Sequence, residues 1–120
     1  MRGERYLTKP QQYALVYNEG SSWVSDLLVV KALPNGLVLS KYGISVSKRV
    51  GKAVVRNKVK RLLREILRQT KLEPGWDIIF IARLAAGRAD YAGLKQSVND
   101  LLSRARLLAK EDDRVCLKTD

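Results

Sequence analysis

Apolar and polar residues alternate along this chain with a period that changes from segment to segment. In residues 8–18, TKPQQYALVYN, Tyr13, Val16 and Tyr17 fall on one side at helical spacing. Thr8 is a natural N-cap, Pro10 suits a first turn, and Asn18-Glu19-Gly20 supplies a stop, so the spacing predicts a short helix. Residues 23–33, WVSDLLVVKAL, are rich in Val and Leu and run into Pro34-Asn35-Gly36. In that tripeptide proline fixes φ while Asn and Gly accept positive φ, which marks a turn. The run beyond it, residues 37–47, alternates at Ile44, Ser45, Val46 and Ser47. The two runs predict an antiparallel hairpin with an irregularity at Gly43. After EPGWD, read as a loop, IIFIAR at 78–83 has four consecutive large apolar residues, the pattern of a strand buried on both faces. Residues 90–109 place Leu94, Val98, Leu101, Leu102 and Ala105 on one stripe and predict an amphipathic closing helix. The tail from 110 to 120 is polar and is expected to fray.

The segment between the second and third of these apolar runs is the most informative. Wound at about 100° per residue, residues 55–68 gather Val55, Val59, Leu62 and Ile66 in one sector, with Leu63 and Leu67 at its edge. Lys60, Arg64, Arg68, Asn57 and Arg61 occupy the opposite side. Glu65 is the one acid in this stretch, too few for intrahelical ion pairs to neutralise the face.

Charge sharpens that reading. The 120 residues carry a net charge of +11. Nine basic residues and one acid lie between Lys48 and Arg68, against fourteen and eleven in the remaining 99 positions. Solvated helix faces normally mix signs. A one-signed face points to a polyanion, with nucleic acid ahead of a membrane surface. Upstream, SVSKRVGKAVV puts Gly51 and two hydroxyls at the helix entry, where unpaired backbone N–H groups favour an anion. Asn57, among the arginines, offers a donor and an acceptor that suit a ribose hydroxyl, a base edge or a hydrated metal ion.

Other function classes lose ground on the same sequence. Histidine is absent, and acids such as Asp77, Asp90 and Asp100 are scattered, which argues against a protein-only nuclease or a protein metal site. No stretch approaches the roughly 20 apolar residues of a membrane span, and the N-terminus lacks the apolar core of a signal peptide. Cys116 is the single cysteine, and no role is expected for it. These features fit a cytoplasmic protein of one domain, residues 1–120, that does not engage a membrane.

The stretch YGISVSKRVGKAVVRNKVKRLLREILR closely resembles the signature of the bacterial ribonuclease P protein subunit, in which V-S-K-K/R-x-G-x-A-V-x-R-N-x-x-K-R-x-x-R-E runs from a strand into a long helix. LTKPQQYALVYNEG is similar to that family's opening helix with two aromatics four residues apart, and WDIIFIAR to its last strand, so the resemblance covers about residues 5–108. It implies an α+β domain of order α-β-β-β-α-β-α. One four-stranded mixed sheet is packed by helices, with a left-handed β-α-β crossover, an arrangement shared with a ribosomal protein domain. It also implies an accessory subunit, one per catalytic RNA, of an endoribonuclease that removes the 5′ leader of precursor tRNA. The catalyst is then the RNA with Mg²⁺, and no protein side chain is catalytic or a metal ligand.

Carried over by position, the resemblance implies RNA contacts at Ser47, Lys48, Arg49, Lys52, Arg56, Asn57, Lys58, Lys60, Arg61, Arg64 and Arg68. It implies a leader-binding cleft with Tyr13, Tyr17, Lys31, Lys41 and Ser45. Stacking aromatics with cations along a backbone is how single strands are held with little sequence preference. Without the resemblance, core packing of the two tyrosines is an open alternative. Lys58 stands where the family often has arginine, so a planar fork becomes a point charge. Lys41 also replaces an arginine, and Lys31 replaces an aromatic found in some members. The competing reading is a ribosomal or general structured-RNA-binding protein with no part in processing.

Overall fold

The computed structural model describes residue 7, residues 10–37 and residues 39–108. Thr8, Cys116 and the polar tail lie outside them. Helix α1 spans Pro10–Glu19, followed by strands β1 (Ser21–Val24), β2 (Leu28–Pro34) and β3 (Lys41–Ser45). Helix α2 spans Ala53–Arg68, strand β4 Trp76–Ala82 and helix α3 Tyr91–Ala105. This is an α+β chain with one four-stranded mixed sheet in the order β1-β2-β4-β3.

The hairpin expected at Pro34-Asn35-Gly36 does not form. The first run is broken instead at Ser25, whose hydroxyl accepts from the Leu28 N–H at 3.2 Å while its own N–H donates to the Leu28 carbonyl at 2.8 Å. That tight turn makes β1 and β2 the antiparallel hairpin, with Trp23 opposite Val30. Beyond β2 the chain crosses the end of β4. The Asn35 N–H donates to the Gly75 carbonyl at 2.8 Å, and its side-chain amide donates to Asp77 Oδ1 at 2.9 Å. β4, buried at Ile78, Ile79 and Phe80, takes the central place between β2 and β3. It pairs antiparallel with β2 and parallel with β3. A central strand loses the most if its two-sided apolar surface meets water, which explains why β4 displaces the local partner. Gly43 is no irregularity, since it sits in register opposite Ile79.

Alternate residues of each strand point to opposite faces. One face, with Leu28, Val30, Ala32, Tyr42, Ile78 and Phe80, joins Val59, Leu63, Ile66 and Leu67 of α2 and Leu94, Val98, Leu101 and Leu102 of α3 in the main core. Tyr42 and Phe80 meet there edge to face, 6.4 Å between centroids. α3 starts where Asp90 Oδ1 accepts from the Gly93 N–H at 2.8 Å. Among the described residues, the other face packs against α1 and Leu7, in a small cluster of Leu7, Val16 and Ile79 flanked by Tyr13, Leu33 and Ile81.

Candidate nucleic-acid interface

The buried stripe of α2 holds the helix in place. Val59, Leu63, Ile66 and Leu67 are buried, while Val55 and Leu62 are only half-buried. The stripe is therefore turned by about 50° from the sector expected from spacing alone. Leu63 and Leu67 join the main core, and Val55 flanks the helix entry beside Gly51. Burial of each of the four contributes about 1.5–3 kcal/mol. Like charges one turn apart repel by about 0.7 kcal/mol in water, so the apolar stripe outweighs the crowding of cations.

The rotation sorts the basic residues. Asn57, Lys58, Arg61, Arg64 and Arg68 are exposed, and Arg56 and Lys60 lie half-buried at the border. Arg56 is turned back, its Nε donating to the Gly51 carbonyl at 3.2 Å, so it braces the helix entry as well as carrying charge. Arg68 forms an ion pair with Glu65, whose other oxygen accepts from Gln69 at 2.9 Å. The single acid thus neutralises the far end of the helix and leaves the middle bare. Among the described residues, none pairs with Lys58, Lys60, Arg61 or Arg64.

Ser47 precedes a 3₁₀ turn, Lys48–Val50, and Lys52 is the N-cap residue of α2. Neither contributes a capping side chain, and no acid lies in the first turn. Ser47, Lys48, Arg49 and Lys52 are exposed and continue the basic surface around an open helix N-terminus. Arg88, which no spacing in the sequence singles out, lies on a turn that the fold packs against Val50 at this same end of the sheet.

The residues expected to floor a cleft do share a face. Lys31 lies opposite Ile79, which lies opposite Gly43, and Lys41 and Ser45 stand two residues to either side on β3. All three are half-buried on the face that α1 only partly covers. Lys31 Nζ donates to Ser22 Oγ at 3.0 Å, extending the polar floor to β1. Tyr13 and Tyr17 differ. The Tyr13 hydroxyl donates to the Leu7 carbonyl at 3.3 Å, and the Leu7 N–H donates to the Tyr42 carbonyl at 2.9 Å. A Cβ on Gly43 would lie 2.7 Å from Tyr13 Cζ, so the strand glycine makes room for the ring. Burial, and then the neighbouring Tyr17, raise the Tyr13 pKa above the ordinary value of 10.0. Tyr13 is thus packed against the sheet, and Tyr17, 39% exposed, is the more accessible of the two aromatics.

No group of three or more His, Cys, Asp or Glu among the described residues is placed to hold a metal ion. No helix among them is long and apolar enough to cross a membrane.

A small α+β domain with a basic helix face bare of acids along its middle, and a second sheet face carrying half-buried lysines near an accessible tyrosine, has the surface of a nucleic-acid-binding protein. Comparison with known proteins makes this specific. The Ribonuclease P family model matches residues 1–106, and the chain belongs to that family, a protein subunit of the ribonucleoprotein that processes the tRNA 5′ end. The ribonuclease P protein component of Dehalococcoides mccartyi strain CBDB1 is 45% identical over 120 residues, the whole of both chains. That of Caldanaerobacter subterraneus subsp. tengcongensis is 40% identical over 108 residues, 88% of this chain and 93% of the relative. The solved RNase P protein of Thermotoga maritima superposes with a TM-score of 0.76 at 34% identity, covering 83% of this chain and 96% of that one. A mutant of the Staphylococcus aureus protein gives 0.81 at 32% identity, over 89% and 92%. Membership implies association with an RNase P RNA.

Proposed function

We propose that the two surfaces divide the work of the holoenzyme. The exposed face of α2 with the 48–52 segment binds the catalytic RNA, one protein to one RNA. The cleft between α1 and the sheet takes the single-stranded 5′ leader of precursor tRNA. The observation that carries this reading is the run of unpaired cations at Lys58, Lys60, Arg61 and Arg64, continuous with Lys48, Arg49 and Lys52. Each phosphate placed against them releases counterions and relieves the mutual repulsion of the face. Asn57, in the middle, supplies a donor and an acceptor to a ribose or base edge. In the cleft, Tyr17 offers a stacking surface, Lys31 and Lys41 track the leader backbone, and Ser45 and Ser22 offer hydroxyls.

Hydrolysis belongs, on this reading, to the RNA. Among the described residues no three carboxylates gather to hold a metal ion, and Mg²⁺ would be held mainly by the RNA, where it would supply charge neutralisation and an activated water. The protein's part is to bind, orient and lower the repulsion between substrate and RNA, so that less Mg²⁺ is required. The setting is the cytoplasm, where precursor tRNA is made.

Precursor-tRNA cleavage by the cognate RNase P RNA at low Mg²⁺, with and without the protein, tests this. A large rate gain that shrinks in Arg61→Ala and Arg64→Ala supports the assignment. RNA binding with no gain in cleavage leaves only a general RNA-binding protein.

A further inference from the structure

β3 and β4 are parallel neighbours, with Ser45 opposite Ile81 near their C-terminal ends. The chain leaving β3 and the chain leaving β4 therefore emerge side by side. The first becomes the basic 48–52 segment. The second becomes another 3₁₀ turn, Leu84–Arg88. These two turns are packed closely: a Cβ at Gly87 would lie 2.8 Å from the Val50 carbonyl oxygen and 3.4 Å from Val55 Cγ1. Only a glycine lets the backbones approach so near without one of them shifting.

Two arginines follow β4, and they are held differently. Arg83 donates through its guanidinium to the Ser25 carbonyl at 2.8 Å and through its N–H to the Leu27 carbonyl at 2.8 Å, which ties it to the β1–β2 turn. Arg88 is exposed, and among the described residues no acid or carbonyl takes its guanidinium. It follows Gly87 directly, on the turn that rests against Val50.

We propose that Arg88 is a further phosphate contact to the RNA subunit, and that Gly87 is a positioning residue that seats the 84–88 turn so that Arg88 continues the cationic surface of Lys48, Arg49 and Lys52. The inference rests on the reading of that surface as the one facing the RNA. The surface is then built from two strand exits and is broader than one helix face. A guanidinium at its border takes a phosphate through two parallel N–H donors, which a lysine there would not do.

The test is the salt dependence of binding to the cognate RNase P RNA, compared among the unmodified protein, Arg88→Ala, Gly87→Ala, Arg61→Ala and Lys95→Ala. Arg88→Ala is expected to weaken binding several-fold at moderate salt and to make the slope of log K against log salt shallower by about one. Gly87→Ala, which keeps every charge, is expected to lose the same slope, a change that lower fold stability would not produce. Lys95→Ala, on the exposed side of α3, keeps the original slope. If Arg61→Ala loses slope while Arg88→Ala does not, the inference is overturned and the reading of the basic surface stands. If neither loses slope, that reading falls too. If Arg88→Ala loses slope and Gly87→Ala does not, the positioning role of Gly87 is wrong.

Discussion

The two faces of the sheet are built from alternate residues of the same four strands, yet they end in different states. Under α2 and α3, the face with Leu28, Val30, Ile78 and Phe80 is sealed into a core that draws on both helices. Under α1, the opposite face buries Leu7, Val16 and Ile79 and leaves Lys31, Lys41 and Ser45 half open. One layer thus carries a sealed face and a half-open one. The sealed side fixes α2 so that its far surface can hold unpaired cations. The open side keeps enough packing to orient Tyr13, and leaves Tyr17 and the polar floor accessible.

This contrast can be broken most severely at Phe80. Phe80→Ala removes a fully buried ring from the sealed side and is expected to cost about 3–5 kcal/mol, read by urea unfolding. That is a large share of a small domain's total stability. The basic surface should respond in the opposite way. Arg61→Ala and Arg64→Ala together are expected to flatten the salt slope of RNA binding by about two, while urea unfolding shifts by less than about 0.5 kcal/mol for each. On the open side the effects are smaller. Tyr13→Phe removes the hydrogen bond to the Leu7 carbonyl and is expected to cost about 0.5–1.5 kcal/mol, with a matching loss of order at Leu7 seen by amide exchange. The smallest effect is on pH dependence. Burial, with Tyr17 nearby, favours the neutral phenol of Tyr13 in the fold and raises its pKa. The resulting stabilisation is fully present below the ordinary value of 10.0 and is lost as pH rises through the folded value. An ultraviolet difference titration of the unmodified protein against Tyr13→Phe should place this ionisation above 10.0, and a midpoint at or below that value would contradict the packed position.

Local periodicity carried much of this into the sequence. The stripe of α2 and the run IIFIA, now in β4, were legible because their apolar spacing is set by burial in the fold itself. Strand pairing was not legible from the residues. Pro34-Asn35-Gly36 has the chemistry of a hairpin turn, but Asn35 is claimed by Gly75 and Asp77, forty residues on in the chain, and β4 inserts where the hairpin partner was expected. The mixed sheet followed from the resemblance to ribonuclease P proteins, and no local spacing showed it. Within the basic surface, charge density was visible, but its sorting was not: the turning back of Arg56 onto Gly51 and the pairing of Arg68 with Glu65 depend on side-chain reach. Arg88 left no signal, since one arginine in LAAGRAD is unremarkable until parallel strands bring its turn against Val50.

The division of labour between the two surfaces is tested most directly by the affinity of the reconstituted holoenzyme for precursor tRNA relative to mature tRNA, in Tyr17→Ala and in Arg61→Ala. Tyr17→Ala is expected to lower this ratio, because only the precursor has a leader to stack against it. Arg61→Ala should weaken assembly with the RNA and leave the ratio unchanged once assembly is driven to completion. A ratio untouched by Tyr17→Ala, or lowered equally by both, would contradict it.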